Sequence, residues 1–239
     1  MEFFLILVFI VFQSVFGIGL LLFGTPTLLV FGYTFPETLS LLLPISISIS
    51  LFQFFFSSKK DFRFIKKFNI FCLPSLIISI YFILNIYEQF DFKLFISIII
   101  TLITLISFFY KKLKIKNKHT IFYLVTIGII HGISNLGGTL LSILSVSLNR
   151  NDKVLSRFFI SYGYLSMAIS QYIVLYFMDE LILNYKNFLY LAFVILIYFP
   201  TQFFFKNINT SKFNNWIYFT ALIYGIMIFY SSLNFNLFD

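Results

Sequence analysis

Residues 119–149 read HTIFYLVTIGIIHGISNLGGTLLSILSVSLN, a run of 31 residues without Asp, Glu, Lys or Arg. As one helix at ~1.5 Å per residue it would be ~46 Å long, against a bilayer hydrocarbon core of ~30 Å. A break is expected at Gly137-Gly138, where helix propensity is lowest and the backbone turns freely. The chain opens with a similar stretch at 3–36, interrupted by Gly17, Gly19, Gly24 and Pro26. It has neither a basic leader nor a small-residue cleavage site, so it is expected to be retained.

Six more charge-free windows follow the same rule, at 38–58, 68–87, 94–110, 158–178, 187–205 and 213–238. All eight reach the length of a membrane-spanning helix. Composition agrees: 60% of residues are hydrophobic and only 11% charged, too few to clothe a water-soluble domain of 239 residues. The expected fold class is all-α, one polytopic membrane domain over 1–239. The lone Cys72 excludes a disulfide framework.

The +8 net charge is concentrated at window edges, in Lys59, Lys60, Arg63, Lys66 and Lys67 and again in Lys111, Lys112, Lys114, Lys116 and Lys118. That is a positive-inside pattern rather than a nucleic-acid surface. If every window crossed once, basic residues would divide poorly between the two sides. If 119–149 enters and returns, Arg150, Lys153, Arg157, Lys206 and Lys212 join the basic side and only Lys93 and Lys186 remain opposite. A re-entrant fifth window is therefore expected.

Two repeats, 1–118 and 119–239, each opening with a long broken segment, fit the order of window lengths. Gly24-Thr25 answers Gly138-Thr139, and Ser46 and Ser50 answer Ser166 and Ser170. With an odd number of crossings in each half, the second is inverted relative to the first. This architecture suits alternating access in transporters.

Unwound backbone at membrane depth survives only beside protein or a water-filled cavity. The expected site residues are accordingly Gly24, Thr25, Pro26 and Thr27 with Ser134, Asn135, Gly137, Gly138 and Thr139. Half-helix N-termini there would hold an anion without a lysine. Gln13, Ser46, Ser50, Ser166, Ser170 and Gln171 are candidates to line the path. His131 is the one imidazole deep in a window, shares a helix face with Ser134 and Asn135, and is the candidate for proton coupling. The same Gly, Ser and Thr residues also suit close helix packing, and a buried His also suits a plain hydrogen bond.

No cofactor motif, paired intramembrane aspartates or metal-ligand cluster occurs in the sequence. The His131-x-x-x-Asn135 pair lacks the separate serine nucleophile of an intramembrane hydrolase. A non-transporting assembly or lipid-binding protein of the bilayer is the alternative that the composition leaves open.

Phe16-Gly17-Ile18-Gly19, Gly24-Thr25-Pro26-Thr27-Leu28-Leu29 and His131-Gly132-Ile133-Ser134-Asn135-Leu136-Gly137-Gly138-Thr139-Leu140 together resemble the TauE/SafE, or sulfite exporter, family of permeases. The first glycine motif departs from that family's pattern at Leu20 and Leu21, and the second lacks a following proline. The resemblance implies a multi-pass protein of the bacterial cytoplasmic membrane that moves sulfite, sulfonates or related organosulfur and carboxylate anions, with a proton or cation gradient as partner.

Overall fold

The helix starts and stops follow local chemistry at most boundaries. The computed structural model describes residues 1–87, 119–182, 185–217 and 219, and among these every regular element is helical. Helix α1 spans Glu2–Phe16 and ends on Gly17, whose left-handed φ of 81° lets its N–H bond the Gln13 carbonyl. Helix α2, Leu20–Val30, starts after Gly19 at φ 146°. A Cβ at Gly19 would stand 2.9 Å from that of Phe12, so this turn tolerates only glycine. Helix α3, Phe35–Phe55, opens with a capping box between Thr34 and Glu37. Asp61 caps α4, Phe62–Ile86, by accepting from two backbone N–H groups.

After residue 118 the pattern resumes with α5, Thr120–Ser134, which stops on Asn135 at φ 63°. Asparagine is the usual substitute for glycine in that conformation. Helix α6, Gly138–Leu148, follows, then α7, Lys153–Phe177, capped by Asp152, and α8, Lys186–Asn207. A further helical turn pair occupies 210–217.

Two expectations need correction. The first break is at Gly17-Ile18-Gly19, whereas Gly24, Thr25, Pro26 and Thr27 all lie inside α2. A proline removes one N–H bond and crowds the carbonyl four residues earlier, yet α2 continues through Pro26, as α3, α4 and α8 continue through Pro44, Pro74 and Pro200. The second break is at Asn135-Leu136-Gly137, with Gly138 already the first residue of α6. Window 94–110, Lys93, the 111–118 loop and most of 213–238 lie outside the described residues.

The course of the chain follows from its end contacts. Tyr33, beyond the end of α2, donates to Glu2 at the start of α1, at 2.8 Å, so α1 and α2 enter and leave on one face. Burial and the Glu2 carboxylate it donates to hold the Tyr33 phenol above its ordinary range, which keeps the proton in that bond. Lys186, at the start of α8, joins the same face through Glu2. Helix α3 then crosses, since 21 residues at ~1.5 Å reach ~31 Å. On the opposite face Lys59 pairs with Asp152, and Lys153 donates to the carbonyls of Phe205, Lys206 and Ile208 at the end of α8.

Helix α5 runs beside α4 in the same direction. Ser75 bonds the Val125 carbonyl, and side chains at Gly128 and Gly132 would run into the backbone at Cys72 and Leu76. Small residues four apart are what permit such close contact. The hairpin of α5 and α6 therefore enters from the Lys59 face, and that of α1 and α2 from the Glu2 face. Helix α8 packs along α1 as α4 packs along α5, while α3 and α7 meet between them and α2 touches α6.

Polarity is distributed as for lipid solvent. Gln13, Gln53, His131, Asn135 and Gln171 are fully buried, whereas Ile78 and Phe82 of α4 and Leu196 and Phe203 of α8 face outward. Four helices, α3, α4, α7 and α8, are long and apolar enough to cross a membrane. By length and composition this is a helical membrane protein.

Candidate functional site

Each broken hairpin carries a cluster of buried polar side chains just before its break. In the first, Gln13 points its amide nitrogen at Ser46 and Ser50 of α3, at 2.9 and 3.2 Å from their hydroxyls and 3.3 Å from the Ser46 carbonyl. Gln53, one turn further along α3, donates to the carbonyls of Gln13 and Ser14 at 2.6 and 3.1 Å. The carbonyls accept, which fixes both amide orientations and leaves the Oε1 atoms of Gln13 and Gln53 without a protein partner.

In the second hairpin Gln171 of α7 donates to the His131 carbonyl at 3.4 Å. The His131 and Tyr164 rings meet edge to face with centroids 6.0 Å apart. Tyr164 lies directly over Gly138, where any Cβ would overlap its hydroxyl. The two hairpins are joined by Asn135, whose Nδ2 donates to Thr25 Oγ1 at 2.7 Å.

The arrangement leaves a group of buried polar atoms unsatisfied. The hydroxyls of Ser14, Thr139 and Tyr164, both ring nitrogens of His131, and the side-chain oxygens of Asn135 and Gln171 have no partner, and each residue is at most 3% exposed. Such a group costs roughly 1–3 kcal/mol when left unmade. Their number favours a polar ligand over a purely structural network, which would close on itself. Donors and acceptors are both present and no formal charge is among them. Among the described residues no group of three His, Cys, Asp or Glu side chains comes together to hold a metal ion.

The expected site residues are thus divided. Thr25, Asn135, His131, Gly137, Gly138, Thr139, Gln13, Ser46, Ser50 and Gln171 lie at the two breaks or in the clusters packed against them. Thr27 and Ser134 instead bond the carbonyls four residues earlier, Phe23 and Ile130. Ser166 and Ser170 do the same with Tyr162 and Ser166, so they do not pair with Ser46 and Ser50 in role. Gly24 packs against Leu42 and Pro26 is buried in α2. Asn135 has left the helix face it was expected to share with His131 and turns to Thr25 instead.

Gln53 and Tyr164 are additions. A glutamine in a charge-free window, three residues after Ser50, was a readable signal for Gln53. Tyr164 had none, being one of 15 tyrosines. Comparison with protein-family models, with curated proteins and with solved structures finds no match to this chain.

Proposed function

We propose that the chain is a permease that moves a small anion by alternating access between two inverted repeats. The observation that carries this reading is the pair of broken hairpins entering from opposite faces, each with unsatisfied polar groups buried at its break. The repeat has further support in a constant register. Adding 118 to the bounds of α1, Glu2–Phe16, and α2, Leu20–Val30, gives Thr120–Ser134 and Gly138–Leu148, the bounds of α5 and α6. The same shift takes the Thr34 cap to the Asp152 cap and Gln53 to Gln171. Both glutamines bond a carbonyl 40 residues earlier, on Gln13 and on its counterpart His131. Those two carbonyls also accept the N–H that closes each broken helix, from Gly17 and Asn135. In this register Gly24-Thr25 does not correspond to Gly138-Thr139.

The packing pairs follow the same exchange, α1 with α8 answering α5 with α4, and α3 with α8 answering α7 with α4. The face bearing Lys59, Arg150, Lys153, Lys206 and Lys212 is cytoplasmic on the positive-inside rule. Sulfite, simple sulfonates and small carboxylates are the substrate class, as the resemblance to the TauE/SafE family suggests. His131 is the proton-coupling group. No catalytic step is assigned, because Ser134 donates to Ile130 rather than to His131.

Proteoliposomes holding the purified chain test the proposal. Saturable flux of labelled sulfite, a sulfonate or a carboxylate, driven by a proton gradient, is expected. His131→Ala should lose the pH dependence. Absence of flux above empty liposomes for all three anions would overturn the permease reading, and unaltered proton-coupled flux in the variant would remove His131 from the coupling.

A further inference from the structure

Arg157 is the one Asp, Glu, Lys or Arg buried among the described residues, at 7% exposure. It lies in the second turn of α7, and among the described residues it has no carboxylate partner. The guanidinium lies over Phe205, its carbon 3.4 Å from the ring centroid, and Nη1 donates to Gln202 Oε1 at 2.8 Å. Its stem packs on the tip of the first hairpin, since a Cβ at Gly17 would sit 3.4 Å from Arg157 Cγ.

A buried cation with a stacking platform and one neutral acceptor is only partly compensated. Its neighbours Phe205, Gln202, Ser14 and Tyr198 carry no negative charge. Gln202 turns its Nε2 to the Ser14 carbonyl at 3.3 Å, which brings Ser14 to the same place. Tyr198, one turn earlier on the same face of α8, also accepts from that Nε2 through its carbonyl and interacts electrostatically with Arg157. The hydroxyls of Ser14 and Tyr198 both lack a partner, in residues 0% and 1% exposed. The nearby Lys153 is occupied, its ammonium bonded to the three carbonyls that end α8.

We propose that Arg157, with the hydroxyls of Ser14 and Tyr198, forms an anion-binding subsite at the tip of the first broken hairpin. The ligand class is a small oxyanion with two or more oxygens on one centre, a sulfite, sulfonate or carboxylate, because a planar guanidinium pairs with two such oxygens at once. The ligand supplies the negative charge that the site lacks. This subsite rests on the anion-permease reading for its biological meaning, but its occupancy does not require transport.

The single tryptophan provides the readout. Trp216 lies against Phe16, the residue before Gly17, with ring centroids 6.3 Å apart. Purified protein in lipid nanodiscs is titrated with sodium sulfite, methanesulfonate and acetate against a sodium chloride control, by Trp216 fluorescence and by equilibrium dialysis of labelled anion. Saturable binding of at least one anion is expected. Arg157→Gln should weaken it about ten- to a hundredfold, Arg157→Lys less, and Tyr198→Phe severalfold with an unchanged thermal midpoint. An Arg157 that merely staples α7 to α8 would lower the midpoint and leave the dissociation constant of the folded fraction untouched. If Arg157→Gln does not fold, Arg157→Lys and Tyr198→Phe decide.

Unchanged affinity in the folded variants, or no saturable binding of any anion by either method, overturns the subsite. Arg157-dependent binding without flux in proteoliposomes upholds it while removing the permease reading. Flux with an unaltered KM in Arg157→Lys and Tyr198→Phe removes it while the permease stands.

Discussion

Tyr164 places its hydroxyl where Gly138 leaves room for nothing else, and that hydroxyl has no protein partner. Removing it tests whether the cluster is there for folding or for a ligand. Tyr164→Phe deletes an unmade hydrogen bond, so thermal unfolding in detergent should show stability unchanged or raised by up to ~1 kcal/mol. Anion flux through proteoliposomes should fall by about tenfold if the hydroxyl serves the substrate. A variant that is destabilised and transports normally would assign the hydroxyl to the fold. The same residue shows where reading the chain reached its limit. His131 and Gly138 stand out because imidazoles and paired glycines are scarce in charge-free windows, and Asn135 stands out because it lies between them. Tyr164 is defined by what lies across from it on another helix, and no local spacing reveals that.

Helix boundaries were more legible than helix contacts. The breaks in the long windows were expected from glycine, and glycine makes the first one, at Gly17 and Gly19. Gly24 and Pro26 do not extend it, because helix propensity yields to packing once α2 is enclosed between α1 and α3. At the second break the left-handed residue is Asn135, at φ 63°, ahead of the expected Gly137-Gly138. The side-chain caps came only from the structure, and among them Asp152 carries a prediction. Partial burial pulls its carboxyl up, and the Lys59 ammonium with the N–H groups of Val154 and Leu155 pulls it down further, leaving it below the ordinary carboxylate value. A depressed folded value means that the stabilisation is complete above ~4 and is lost as pH falls through the depressed value. Asp152→Asn keeps a capping side chain but not the charge. Thermal midpoints should therefore separate the two proteins at neutral pH and draw together as pH falls below the ordinary carboxylate range. Parallel curves would assign the ion pair no role. Asp152→Ala should cost about 1 kcal/mol more than Asp152→Asn through the lost cap.

At the scale of the whole molecule, the two readings of the basic residues differ in which loops share a side. If every charge-free window crossed once, residues 2 and 59 would face one compartment and residues 31 and 150 the other. The contacts between Tyr33 and Glu2 and between Lys59 and Asp152 demand a different grouping, residues 2 and 31 together and residues 59 and 150 together. The distinction matters mechanistically, because only hairpins inserted from opposite faces give two equivalent half-structures able to exchange which side is open. Cys72 is completely buried in α4, so a cysteine placed elsewhere reports alone. Single substitutions Glu2→Cys, Phe31→Cys, Lys59→Cys and Arg150→Cys, probed in intact cells with an impermeant maleimide before and after permeabilisation, read the grouping directly. Labelling at 2 and 31 is expected from outside, and at 59 and 150 only after the membrane is opened. Labelling of 2 with 59 and of 31 with 150 would restore single crossings, dissolve the inverted pair and with it the geometric case for alternating access. The reverse sidedness with the same grouping would keep the inversion and overturn only the positive-inside assignment, since the two hairpins are related by contacts that do not depend on which face meets the cytoplasm.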